Sequence, residues 1–288
     1  MISSFKFIEF LPMLHDTHAH LDILLQKLGE LSDKQTKIDR NRVDNLLIQH
    51  EFVIQPTTNS ANFEYVYRLL KGFEKVFFLI GSHPEIVKQD FDLASYLESQ
   101  REVIVELETE TEMSQKVVGL GEVGLDYHYT QEPEIIKNQI ALFEEQIALG
   151  IKLKLPLVIH CREAFKDLFS IIKEYPEMHG HFLVHCFTDD TDALKQVLRF
   201  GGKVAFGGVS TFKSANELQD AIKFCPNDSF MLETDLPFLA PTPYRGKTCT
   251  PDMISLIAKK VSEIKQQPES EVWESSLTNS RDLFGVFF

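Results

Sequence analysis

The chain is poor in the features that mark secreted, membrane or nucleic-acid-coating proteins. It carries four cysteines in 288 residues, Cys161, Cys186, Cys225 and Cys249, and none of them form a C-x-x-C pair. That usage reads as reduced thiols rather than a disulfide framework. No apolar run reaches bilayer length, and the first residues lack a basic stretch followed by a long apolar core. Positive charge is scarce: 29 Lys and Arg against 43 Asp and Glu give a net charge of -14. Such a surplus repels phosphate, which opposes a constitutive DNA or membrane coat but leaves room for a local cationic site. No G-x-G-x-x-G follows the first strand, so the usual dinucleotide signal is missing. The expectation is a soluble cytoplasmic protein, by default a monomer.

What is present is core and alternation. Hydrophobic residues make up 43% of the chain and include 23 Phe, enough for a full core. Apolar runs at Phe10–Leu14, Glu51–Thr57, Val76–Ile80, Val117–Leu120, Leu155–Ile159, Phe182–Val184, Lys203–Phe206 and Phe230–Leu232 read as strands, most followed by a helical segment. Eight β-then-α units imply parallel pairing and a closed (β/α)8 barrel, the α/β fold often called a TIM barrel, in one domain over residues 1–288. Residues 1–14 form a sticky lead-in with Phe5, Phe7 and Phe10, suited to cover one barrel end. The acidic stretch from Glu102 to Glu112 reads as a solvated helix face or loop.

The polar residues fall at strand ends. His18 and His20 follow the first strand, Glu122 the fourth, His160 the fifth, His185 the sixth and Asp235 the eighth. In a barrel these C-terminal ends converge on the face where catalytic groups collect. Four imidazoles and two carboxylates make a ligand set for one or two divalent ions, with Glu122 suited to bridge. Each residue alone has a plainer reading: a hydrogen-bonded core histidine, or a carboxylate capping the next helix. Their joint placement is what points to a metal site. His83 faces the pocket or shapes the turn before Pro84; Asp126 and His128 reach substrate or anchor the loop, and anchoring is favoured for Asp126. Arg162, Arg245 and Lys247 could hold an anionic substrate, or point to solvent. His15, His50, His179 and His181 have no such placement and read as structural.

These stretches resemble a known family, the TatD metal-dependent deoxyribonucleases of the amidohydrolase superfamily. The resemblance rests on Asp16-Thr17-His18-Ala19-His20-Leu21-Asp22, Gly81-Ser82-His83-Pro84 and Gly121-Glu122-Val123-Gly124-Leu125-Asp126-Tyr127-His128. It continues in Leu157–Ala164 with His160-Cys161-Arg162, Val184-His185-Cys186-Phe187, Glu233–Pro241 and Tyr244-Arg245-Gly246-Lys247. It implies a TIM barrel with one ion on His18, His20 and Asp235, a second on His160 and His185, and Glu122 between them. It implies two divalent cations, magnesium or manganese, with zinc as a further option. The implied reaction is hydrolysis of DNA phosphodiesters at single strands or ends, often 3′-to-5′, with Asp235 taking the proton of the attacking water. Three features depart from the pattern: fifteen residues before Asp16, a long acidic stretch, and Thr250 before Pro251. The alternatives are a barrel hydrolase of a small ester, amide or D-aminoacyl-tRNA, and a non-enzymatic scaffold binding nucleic acid or protein. A modified lysine bridges the metals in many small-substrate barrels, and Glu122 stands in that place here.

Overall fold

Apolar runs followed by amphipathic helices become eight parallel strands in a computed structural model, which describes residues 13–30, 38–109 and 112–285. The strands are β1 Leu14–Asp16, β2 His50–Gln55, β3 Val76–Ile80, β4 Val117–Asp126, β5 Leu157–Arg162, β6 Phe182–Val184, β7 Lys203–Phe206 and β8 Phe230–Leu232. They pair in chain order in one sheet. The ring closes where Ala19 bridges Leu236 in parallel, and Thr17 N donates to Leu232 O at 3.2 Å. This is the (β/α)8 barrel that the alternation implies. Most of the lead-in, residues 1–12, lies outside the described residues.

Side chains alternate faces along each strand, and the core divides accordingly. Phe52, Ile54, Leu79, Val118, Val158, Leu183, Ala205 and Met231 pack together inside the ring, joined by Leu283 and Phe284 of the last helix. Their strand neighbours, such as Phe78, Ile159, Phe206 and Leu232, pack outward in the larger cluster that the helices cover. Each fully buried Phe or Leu contributes about 1.5–3 kcal/mol relative to exposure.

Four strands differ from the sequence reading, β2 and β5 by one to three residues at their ends, β1 and β4 as follows. Among the described residues β1 is Leu14–Asp16, which runs past the expected end at Leu14; Phe10, Leu11 and Pro12 of the expected run lie outside the described ones. β4 runs on to Asp126, where Gly121 reads in sequence as its end. Glycine here serves close approach rather than a turn: a Cβ on Gly124, at φ +135°, would sit 2.1 Å from His160 O of β5. The pairing of β4 with β5 shifts register between Leu120 and Val123, a bulge of the kind that re-aims a side chain. Glu122 sits in that bulge, and its N donates to Thr57 O at 3.1 Å. The acidic segment forms two short helices, Arg101–Glu108 and Glu112–Lys116, in keeping with a solvated helix face. Among the described residues no helix is long and apolar enough to cross a membrane.

His15, read as structural, is buried between the barrel and the last helix. Its ring stacks on Phe52 at 5.3 Å and meets Trp273 edge-on at 5.2 Å, and its Nε2 lies 2.7 Å from Ser276 Oγ. Burial, with the charges of His50 and Arg281, pushes its pKa down to about 3. The unfolded chain takes up this proton below about pH 6.5, whereas the folded chain does so only near pH 3. The unfolded state therefore binds more protons between these values, and stability present above pH 6.5 is lost as pH falls. The loss from His15 alone is about 2 kcal/mol by pH 5. Denaturant unfolding followed by the fluorescence of Trp273, the single tryptophan, should show this slope, and His15→Gln should flatten it. An unchanged slope in the variant would place the sensitivity elsewhere.

Candidate metal centre

The barrel geometry delivers the polar strand ends to one cleft of about 710 Å³. His18 and His20 lie just past β1, on a segment fixed by the Ala19–Leu236 bridge and by His20 N donating to Leu236 O at 2.8 Å. Asp16 does not face the cleft; its carboxylate accepts from Thr234 Oγ1 at 2.6 Å and Thr234 N at 3.0 Å, tying the β1 end to the β8 end. Asp235 follows β8 at φ +56°, its N donating to His18 O at 2.9 Å. Cys186, after His185, also takes a positive φ of +44°, and its N donates to the buried carboxylate of Glu233. Left-handed non-glycine residues cost energy and persist where surrounding bonds fix them, as here. Glu122 and His160 lie within β4 and β5 rather than past their ends, as the sequence reading has them.

The six residues fall into two groups joined by Glu122. One carboxylate oxygen, Oε1, lies 2.7 Å from His185 Nε2 and 2.9 Å from His160 Nδ1. The other, Oε2, lies 3.5 Å from His18 Nε2 and 3.8 Å from His20 Nε2. Asp235 Oδ1 closes the second group, 3.5 Å from His20 Nε2 and 3.9 Å from His18 Nε2. In His18–His20–Asp235, and likewise in Glu122–His160–His185, one donor atom per residue lies within 4.8 Å of the others. His83–Asp126–His160 and His18–His185–Glu233 are equally close and share members with them.

The charges are set by burial against proximity. Burial opposes ionisation of Glu122, but the nearby imidazoles, His185 first and then His83, His160 and His18, hold its carboxyl well below the usual range. Burial likewise disfavours the imidazolium of His185, and Glu122 and Glu233 outweigh it, raising the pKa well above the ordinary value. His18 is pushed down, by burial first and then by the charge of His185. Burial, only partly offset by Glu122, lowers His83 to about 4.

The residues fit a divalent cation. Both ring nitrogens of His18 are buried without a hydrogen-bond partner among the described residues, yet Nε2 points at two carboxylates across 3.5 and 3.9 Å. A buried polar atom left unpaired is costly, and a cation among these donors removes the cost. Imidazoles with carboxylates suit manganese or zinc better than magnesium, which takes mainly oxygen ligands. His160 is oriented from behind: Nδ1 faces Glu122 while Nε2 lies 2.9 Å from Asp126 Oδ2. Asp126 also accepts from His128 N at 2.9 Å, so it anchors the loop as well. Asp126→Asn should weaken metal binding about 10- to 100-fold without unfolding the barrel, read by titrating metal into chelator-treated protein. Wild-type affinity in that variant would show that His160 needs no such support.

The remaining expected contacts divide. Arg162 and His83 line the cleft; His83 Nε2 is 3.5 Å from Glu122 while Nδ1 accepts from Glu85 N, so it both faces the pocket and shapes the turn. His128 pairs with Glu163 at 2.6 Å instead, and Arg245 lies over the Phe212 ring at 4.4 Å; neither lines the cleft. Cys161 and Cys186 border the cleft, with burial raising both thiol pKa values, and belong to none of the metal-capable groups among the described residues. Sequence reasoning passed over Glu233, Tyr129 and Phe238. Glu233 stands two residues before Asp235, and its partners are visible only in three dimensions.

Comparison with known proteins points to one family. The TatD related DNase family matches residues 15–285. The chain is 31% identical to the uncharacterized metal-dependent hydrolase YabD of Bacillus subtilis, over 95% of this chain and all of that one. It is 29% identical to the human 3′-5′ RNA nuclease TATDN2, over 94% of this chain and 35% of that protein. The crystal structure of YJJV, a TatD homolog from Escherichia coli, superposes with a TM-score of 0.80 at 24% identity, covering 96% of this chain and 99% of that one, a likeness of fold. With the family matched along nearly its whole length, the chain belongs to the TatD related DNase family of metal-dependent hydrolases.

Proposed function

We propose that the protein hydrolyses DNA phosphodiester bonds as a 3′-to-5′ exonuclease, with divalent cations held by His18, His20 and Asp235, by His160 and His185, and by Glu122 between them. The observation that carries this reading is Glu122, whose two oxygens each face a different histidine pair. The DNase family match supports the substrate, and the human relative named as a 3′-5′ RNA nuclease supports the polarity. Held by these residues, divalent cations would supply Lewis acidity toward a phosphate oxygen and would activate water for attack.

The chain's own groups do the rest. Asp235 opens onto the cleft, orients the attacking water and takes its proton. Arg162 holds a phosphate by charge-assisted hydrogen bonds. His83, whose pKa burial lowers to about 4, lines the cleft 3.5 Å from Glu122 and positions the substrate. Asp126 keeps the His160 ring in register. The net charge of -14 confines phosphate attraction to this cleft, which suits an enzyme that visits strand ends.

The test is product length on 5′-labelled single-stranded DNA with manganese, beside the matching RNA and a circular single strand. The expected result is a ladder shortening from the 3′ end and a resistant circle. Early cuts within the circle would overturn the exonuclease reading, and cleavage of RNA alone would overturn the choice of DNA.

A further inference from the structure

Three large apolar side chains line the cleft yet stay exposed to solvent: Tyr129 at 69%, Phe238 at 43% and Leu239 at 39%. Single exposed hydrophobics are ordinary, but these gather at one polar cleft. The topology separates the two aromatic ones. Tyr129 lies just past β4, and Phe238 just past β8. In a ring ordered β1 to β8, these strands stand opposite each other. The two histidine groups lie between them: Phe238 meets the His20 ring edge-on at 5.7 Å, and Tyr129 sits by Arg162, next but one to His160.

Each ring also has a cation at its face. Arg162 Cζ lies 5.2 Å from the Tyr129 centroid, with Nη1 3.3 Å from its hydroxyl. Lys27 Nζ lies 5.7 Å from the Phe238 centroid. An exposed aromatic face beside a cation is what a nucleotide meets in single-strand binders, its base on the ring and its phosphate near the charge.

We infer that Tyr129 and Phe238 are stacking platforms on opposite rims of the cleft, so that the nucleotides flanking the scissile phosphate bind with their bases splayed apart. This rests on the phosphodiesterase reading above. It names the substrate class as unpaired nucleic acid, because a base pair cannot splay without losing its pairing and stacking. Stacking tolerates any base, so the platforms confer strandedness rather than sequence preference.

The test removes the base instead of the phosphate. Single strands carry a stable abasic nucleotide at the last or the next-to-last 3′ position. In the wild-type enzyme each should lose about five- to a hundredfold in kcat/KM against the intact strand. Tyr129→Leu should erase the penalty at one position and Phe238→Leu at the other. These variants keep apolar bulk at exposed sites, and circular dichroism checks their fold. A second readout needs no turnover: 2-aminopurine at each position should be quenched on binding to EDTA-treated wild-type protein, and each variant should lose quenching at one position. No abasic penalty in the wild type, or the same penalty and quenching in both variants, would overturn the platforms. Bis(p-nitrophenyl) phosphate, which has no base, separates the two readings. If the wild type cleaves it while the variants keep full base penalties, stacking fails and the phosphodiesterase reading stands. If it cleaves neither the diester nor any oligonucleotide, that reading fails, and the fluorescence alone decides the stacking.

Discussion

Asp235→Asn is expected to lower turnover on single-stranded DNA by at least about 10³-fold while leaving the barrel folded. The carboxylate closes the group with His18 and His20, with Oδ1 at 3.9 and 3.5 Å from their Nε2 atoms. An amide neither carries the charge that draws a cation there nor takes a proton from water. The backbone, by contrast, suits the replacement. Asp235 sits at φ +56°, where Asn is tolerated better than most residues, and its N–H still reaches His18 O. A melting curve close to wild type should therefore accompany the loss. Activity within tenfold of wild type in metal-loaded Asp235→Asn would remove this residue from the reaction.

Glu122 should show an effect of similar size and a sharper dependence on chain length. Glu122→Gln removes the negative charge that five surrounding imidazoles, His18, His20, His83, His160 and His185, are arranged around. Turnover should fall about 10³-fold or more, because an oxyanion at the junction of both groups is lost. Removing one partner from a buried charged set also costs about 3–5 kcal/mol, so the metal-free variant should melt earlier. Glu122→Asp is the informative companion. It keeps the charge but is one methylene shorter, so one carboxylate no longer faces both histidine pairs. If Glu122 bridges, Asp should rescue stability but little activity, and metal analysis should show fewer ions per chain. Full rescue by Asp in both readouts would reduce Glu122 to a counter-charge.

Much of this was legible in the chain because parallel strands buried on both faces read as apolar runs. β3, β6, β7 and β8 have in sequence the bounds they have in the fold, and each is a short apolar run. The metal-capable residues stood out because the C-terminal ends of barrel strands converge, so strand-end position is already spatial information. β4 was harder. Gly121 and Gly124 look like turn residues, and only the approach of β5 shows why glycine sits inside a strand. Tertiary partners were illegible for the same reason. Nothing near His128 in sequence announces Glu163, thirty-five positions on, as its partner. Arg245 looks placed for phosphate until the fold sets it over Phe212, off the lining of the cleft. Phe187, beside His185 in sequence, is buried, whereas Tyr129 and Phe238 are exposed at the cleft. Exposure is decided by packing, and residue type alone does not carry it.

The central claim is that the histidine–carboxylate cleft hydrolyses phosphodiesters through cations it holds. The most direct measurement is a time course on end-labelled single-stranded DNA with protein stripped by EDTA, then resupplied with manganese, magnesium or zinc. The expected result is no cleavage in the stripped protein, recovery on adding back metal, and no recovery in Asp235→Asn under any of them. Undiminished cleavage after metal removal, or no cleavage with metal bound and the barrel intact, would contradict the account.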